Sequence, residues 1–213
     1  MGNSKKVVVF GGGGFLGSHV ADTLTKKGYE VIIYDIHNSQ FIGEKQKMIV
    51  GDILDPEKVN EAVRDTQYVY HFAGLADINE AKAKPVETIT SNILGTTNIL
   101  EACRNNNVCR FIFASTIYVY SELGSFYRSS KQACELIIEN YFDEYDLNYT
   151  ILRYGSLYGR RANQFNFIRN AVSQALLENK IDRLGDGEEI RDYIHVKDAA
   201  KASVDILTDE FVN

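Results

Sequence analysis

The sequence predicts an α/β fold built on a doubly wound parallel sheet, and three observations predict it. Short, apolar, β-rich runs alternate with longer helical patterns through residue 155. A glycine-rich turn, "FGGGGFLGS" at 10–18, joins the first run to the first helical pattern. An acidic residue, Asp35, closes the second run.

The runs "KVVVF" at 6–10, "VIIY" at 31–34, "YVYHF" at 68–72, "RFIFA" at 110–114 and "YTILRY" at 149–154 are apolar on both sides, the pattern of strands covered on both faces. Helical spacing occupies 15–27, 56–65, 86–106 and 127–145; Ile89, Ile93, Thr96 and Leu100, for example, share a face. Asp55 followed by Pro56 is an N-cap and first-turn pairing that starts a helix. Such βαβ alternation predicts right-handed crossovers. After Arg153 the rhythm changes. A helix-like stretch near 163–178 precedes "LGDGEEIRDYIHVKDAAKASVDIL", which reads as a turn, a strand and a final helix.

With 213 residues, 45% of them hydrophobic, the chain can bury one sizeable core. A net charge of −6 with scattered Lys and Arg argues against nucleic acid and against an anionic membrane as partners. Cys103, Cys109 and Cys134 are odd in number and lack ligand-like spacing, which predicts reduced thiols, a cytoplasmic protein and no metal. No apolar run has the length of a membrane span or a signal peptide.

Gly11, Gly14 and Gly17 stand three apart between a strand and an apolar helix. Glycine lets the backbone turn and approach a ligand closely, and the helix N-terminus offers free N–H groups and partial positive charge to a pyrophosphate. A glycine run is also a plain turn when it stands alone. Asp35, eighteen residues past Gly17, can accept from both hydroxyls of an adenosine ribose and would repel a 2′-phosphate. No arginine follows it closely, which favours NAD over NADP. "GDILD" at 51–55 follows a strand, and Asp52 there serves either the adenine amino group or a turn.

Tyr127 and Lys131 are four apart in a helical segment and share a face. A phenol ionises near pH 10 in water, so a base working near neutrality needs its anion stabilised. An adjacent ammonium and a positive nicotinamide ring would do this. Thr116 ends the strand before them, at the carboxyl edge where doubly wound sheets bind ligands. The alternative is that Tyr118, Tyr120 and Tyr127 are half-buried packing aromatics.

These motifs, with "HFAGL" at 71–75, "NILGTTNILEAC" at 92–103, "LRYGSLYGRR" at 152–161 and "RDYIHVKDAAKA" at 191–202, resemble the extended short-chain dehydrogenase/reductase family, in particular its 4-epimerase-like, NAD-dependent nucleotide-sugar enzymes. The resemblance spans nearly the whole chain. It implies a Rossmann-type dinucleotide-binding domain at 1–155 and a partial substrate-binding region at 156–213, whose strand and helix return to the first domain. It implies NAD held by Gly11, Gly14, Phe15 and Leu16 at the pyrophosphate, Asp35 and Ile36 at the ribose, and Asp52 and Ile53 at the adenine. Phe72, Ala73 and Gly74 would run beneath the dinucleotide, with Tyr127, Lys131 and Tyr154 near the nicotinamide; Asn92 would belong to the cofactor site near the active centre, its alternative being a buried polar group of a helix. Thr116, Ser156 and Arg191 would bind a nucleotide-diphosphate sugar, and Thr116, Tyr127 and Lys131 would catalyse. His195 reads as a structural strand residue.

Several departures qualify the resemblance. Phe10 replaces a common threonine, and Ser156 a common asparagine. Only "SELGSF" separates Tyr120 from Tyr127, where the family has a longer loop. Ile117 and Tyr118 follow Thr116 where sugar dehydratases carry an acidic pair, which disfavours dehydration. Members continue for about another hundred residues, the size of a full substrate domain. The expectation is an epimerase acting through a transient 4-keto sugar, with Tyr127 as acid and base. The alternatives are a sugar dehydrogenase or reductase, and a non-catalytic dinucleotide-binding module. The residues alone are silent on assembly; the resemblance implies a homodimer through the helices at 86–106 and 127–145.

Overall fold

The structure, a computed structural model, describes residues 5–183, 185, 186, 188 and 190–213. The turn expected around "LGDG" includes Leu184 and Gly187 and so lies partly outside the described residues.

Six parallel strands form one sheet in the order β3-β2-β1-β4-β5-β6: β1 Lys6–Phe10, β2 Glu30–Asp35, β3 Gln46–Val50, β4 Tyr68–His71, β5 Arg110–Thr116 and β6 Tyr149–Tyr154. The chain winds outward from β1 in one direction and then from β4 in the other. A crevice therefore opens at the carboxyl ends of β1 and β4, where the winding reverses.

The strands are apolar on both sides because both faces of the sheet are covered. Val8, Phe10, Ile32, Tyr34, Val69, Phe111 and Phe113 point into one hydrophobic layer, while Val7, Val9, Val31, Ile33, Tyr70 and Ile112 point into the other. Helices α2 (Pro56–Val63), α5 (Gly95–Asn105) and α6 (Ser125–Tyr145) cover the first face; α1 (Phe15–Lys26) and α8 (Val196–Asp205) cover the second. The strand that "GDILD" follows, β3, has the weakest apolar signal because it is the edge strand and is only partly covered.

Asp55 caps α2 by accepting from Lys58 N at 3.1 Å, with Pro56 in the first turn. The helical pattern at 86–106 is interrupted. It comprises α4 (Pro85–Ile89), a π-helical turn at Thr90–Leu94 and α5. A short α3 (Ile78–Ala83), capped by Asp77, has too few residues to register as a periodic pattern. A single 3₁₀ turn, Ile117–Tyr120, follows β5 and is capped by the Thr116 hydroxyl. Beyond β6, β7 (Ser156–Tyr158) pairs in parallel with β8 (Tyr193–His195), and α7 (Phe167–Glu178) lies between them in sequence. His195 caps α8 through Nδ1, which accepts from Lys197 N at 3.3 Å. Ala199, Ala200 and Val204 of α8 then pack with Val20 and Leu24 of α1, returning the C-terminal segment to the sheet. Among the described residues no helix is long and apolar enough to cross a membrane, and no three His, Cys, Asp or Glu side chains group as metal ligands.

Gly17 sets how closely α1 approaches the glycine turn: a Cβ there would lie 2.2 Å from the Gly11 carbonyl oxygen. Gly17→Ala is expected to destabilise the fold by about 1–3 kcal/mol through overpacking. Urea unfolding measures this, and a midpoint equal to that of the unsubstituted protein would contradict it.

Candidate active site

Two cavities lie along the carboxyl edge of the sheet and share Gly11, Gly14 and Phe72 as common wall. The smaller, ≈ 360 Å³, sits over β1 and β2 and is lined by Asp35, Ile36, Asp52, Ile53, Ala73 and Gly74. The larger, ≈ 480 Å³, sits over β4, β5 and β6 and contains Phe15, Leu16, Thr116, Tyr127, Lys131, Tyr154, Ser156 and Arg191. One continuous trough thus brings together every expected site residue except Asn92.

The glycine turn makes the junction. Gly11 adopts φ +73°, and a Cβ on it would lie 2.6 Å from Ala73 N, so only glycine lets β1 close against the end of β4. Gly14 is the N-cap of α1 and makes no side-chain capping bond, leaving the helix N-terminus to whatever occupies the junction. Asp35 accepts from Gly13 N at 3.0 Å through one carboxylate oxygen, so it ties the glycine turn to β2 as well as lining the smaller cavity. Asp52 has turn duty: its Oδ1 accepts from Leu54 N at 2.9 Å, and its carbonyl accepts from the buried Tyr34 hydroxyl at 2.8 Å.

Asn92 stands apart from the trough. It is buried and lines neither cavity. Its Oδ1 accepts from Leu75 N at 2.7 Å, and its Nδ2 donates to Leu75 O at 3.0 Å and Ser130 Oγ at 2.9 Å, which satisfies the amide within the protein. It fastens the segment after β4 to the first turns of α6, where Ser130 in turn donates to the Tyr127 carbonyl.

Tyr127 lies in the first turn of α6, half-buried, on the wall of the larger cavity. Gly124 at φ +101° and Ser125 at φ +50° turn the chain sharply into that helix. Burial pushes the Tyr127 phenol up to about 12, a hydrogen bond with Thr116 opposes this, and Tyr118 adds slightly to the rise. Lys131 does not bond the phenol as the i, i+4 spacing suggests. Its Nζ donates to Ala114 O at 2.8 Å and stands over the Phe113 ring at 4.5 Å, with the Tyr127 ring centroid 5.9 Å away. Burial pushes Lys131 down to about 8, against the smaller upward pulls of Cys134 and Glu135. His71 beneath it is fully buried, donates from Nε2 to Thr96 Oγ1 at 2.9 Å, and is held neutral by burial. Tyr154 lines the cavity with its ring while its hydroxyl bonds Ser203 of α8 at 2.6 Å.

Sequence reasoning missed part of the wall. Asp77, Asn163, Phe165, Phe167 and Tyr193 line the larger cavity, and Glu80 the smaller. Asp77, Asn163 and Phe165 come from connections, Glu80 and Tyr193 from short elements and Phe167 from the start of α7, and a hydrophobic period marks no functional position in any of them.

Residues 7–212 match the "NAD dependent epimerase/dehydratase family". The chain belongs to that family. A crystal structure of UDP-glucose 4-epimerase from Thermus thermophilus in complex with NAD superposes with a TM-score of 0.85 at 31% identity, over 96% of this chain and 75% of that one. UDP-glucose 4-epimerase from Thermotoga maritima, solved with UDP-glucose, superposes with a TM-score of 0.88 at 28% identity, over 95% and 73%. A UDP-N-acetyl-alpha-D-glucosaminuronate decarboxylase from Bacillus cytotoxicus is 31% identical over 98% of this chain and 73% of its own length. The cofactor of the family is NAD, and the residues present fit it: an uncapped helix N-terminus behind glycines too crowded for a Cβ, with a ribose-competent carboxylate on one side and a Tyr/Lys pair on the other.

A charged Lys131 in a dry site opposes folding. Its proton is bound less tightly in the folded state, about 8 against the usual 10.5, so the penalty is full below about pH 8 and fades as pH rises from there to 10.5. Stability is expected to gain up to about 3 kcal/mol across that window relative to Lys131→Met, which lacks the group. Parallel pH–stability curves for the two proteins would contradict the burial of this charge.

Proposed function

We propose that this protein is an NAD-dependent nucleotide-sugar epimerase that works through a transient 4-keto sugar, with Tyr127 as acid and base. The single observation that carries the reading is the convergence of Thr116, Tyr127 and Lys131 on a cavity continuous with the glycine cradle. The Thr116 hydroxyl orients the reacting sugar hydroxyl and bonds the phenol that exchanges its proton. Lys131 positions the cofactor ribose and contributes positive charge. NAD held in the cleft would supply a hydride acceptor and a positive charge that opposes the rise burial gives the Tyr127 phenol.

Arg191 and Ser156 stand on the outer wall, where a guanidinium fork suits a diphosphate. Ile117 and Tyr118, apolar or neutral residues on the wall directly after Thr116, supply no acid for eliminating water, which favours epimerisation over dehydration. We further assign a cytoplasmic homodimer joined through 86–106 and 127–145, where Val86, Ile89, Leu94 and Leu136 expose apolar surface.

The deciding experiment incubates purified protein and NAD with UDP-, GDP- and dTDP-sugars and identifies products by mass and NMR. An epimer formed without net NADH supports the reading. Accumulating NADH would assign a dehydrogenase instead, and NAD binding without any turnover would assign a binding module. Tyr127→Phe is expected to lower turnover by about 10²–10⁴-fold, the scale of a lost general acid–base, while NAD binding measured by calorimetry persists.

A further inference from the structure

Behind the wall of the larger cavity lies a charged group that the proposed reaction does not use. Glu135 of α6 is 7% exposed, an unusual place for a carboxylate. Two residues grip it. Arg153 of β6 binds it with a two-pronged fork, Nε to Oε1 at 3.0 Å and Nη2 to Oε2 at 2.7 Å, and the buried Ser115 hydroxyl of β5 donates to Oε1. The free Arg153 nitrogen, Nη1, donates to the Tyr120 hydroxyl, and the guanidinium lies 5.0 Å from that ring's centroid.

Each member of this group stands one structural step from a residue of the reacting wall. Ser115 precedes Thr116. Arg153 precedes Tyr154, and the two pairs lie side by side in register across β5 and β6. Glu135 lies one helical turn beyond Lys131, whose Nζ bonds Ala114 O, the residue before Ser115. Successive turns of α6 are thus bonded to successive residues of β5. Tyr120 closes the 3₁₀ turn that carries Ile117 and Tyr118 on the cavity wall.

We propose that Glu135, clamped by Arg153 and Ser115, is the positioning residue that fixes Thr116 of β5 against Tyr127 and Lys131 of α6. A helix resting on a sheet through apolar side chains alone can shift or roll slightly, because such contacts have little directionality. A bidentate ion pair has a defined length and plane, and Glu135 is the only described acid bonded to both β5 and β6. Its charge also faces Lys131, whose other neighbours are Tyr127 and Cys134 of α6, neutral His71 of β4, and the Phe113 ring and Ala114 carbonyl of β5. Glu135 is the one anion among them.

The inference rests on the reading of Tyr127 as the proton carrier, and the test separates the two. Glu135→Gln keeps the volume and loses the charge; Glu135→Met with Arg153→Met removes both charges and leaves neither stranded if the single variant fails to fold. The expected result in either protein is kcat lower by about tenfold to a hundredfold, the scale of a small misplacement, with KM for the nucleotide sugar and NAD affinity within about threefold of the parent. In Glu135→Gln the alkaline limb of the pH–rate profile is expected to move to lower pH, because Lys131 loses its one anionic neighbour. A kcat and pH profile equal to the parent's in a folded variant would overturn the proposal, and so would equal losses of NAD affinity and kcat, which would mark a merely structural role. Failure of the unsubstituted protein to turn over any nucleotide sugar would instead overturn the reading of Tyr127.

Discussion

The close contact of backbone with backbone at the end of β1 is the constraint on which the rest of the molecule depends. Gly11 lies against Phe72 and Ala73, and Gly17 against the Gly11 carbonyl, at distances that exclude any side chain. This lets α1 begin directly beneath the point where the sheet reverses its winding. Its uncapped N-terminus then serves both cavities at once. Were the turn looser, the smaller and the larger cavity would be separate hollows rather than one trough.

Dryness sets the electrostatics of the larger cavity's Tyr127 and Lys131. Burial raises the Tyr127 phenol and lowers the Lys131 ammonium, so each is displaced toward its uncharged form. The rise at Tyr127 opposes proton release in the protein alone and would lessen beside a cation, whereas the Lys131 ammonium would be lowered further by the same charge. The contact between Lys131 and Ala114 keeps the ammonium anchored to β5, so the charge acts through space and not through a direct bond to the phenol.

Helix α6 carries most of this arrangement. Its first turn bears Tyr127, its second Lys131 and its third Glu135. It is held at its start by Asn92 through Ser130, and further along by Arg153 and Ser115. The π turn at Thr90–Leu94 bears Asn92, whose amide bonds Leu75 and Ser130 at once; irregular turns of this kind recur at functional sites. Polar contacts give this helix a register that the apolar core beneath it does not define.

By itself the sequence determined the alternating elements and the glycine turn, and it singled out Asp35, Thr116, Tyr127 and Lys131 as candidates. Each of these is a local pattern: a run apolar on both sides, a triplet of glycines before a helix, or two polar residues one helical turn apart. Only the tertiary structure decided the rest. It assigned Asn92 to an internal post and not to the cofactor trough, gave Asp52 its turn, directed Lys131 to Ala114, and joined Ser115, Glu135 and Arg153 from three elements. The physical reason is that side-chain hydrogen bonds have no period along the chain. Periodicity reports which face of an element is dry, whereas the partner of a buried polar group is set by which elements the fold lays side by side.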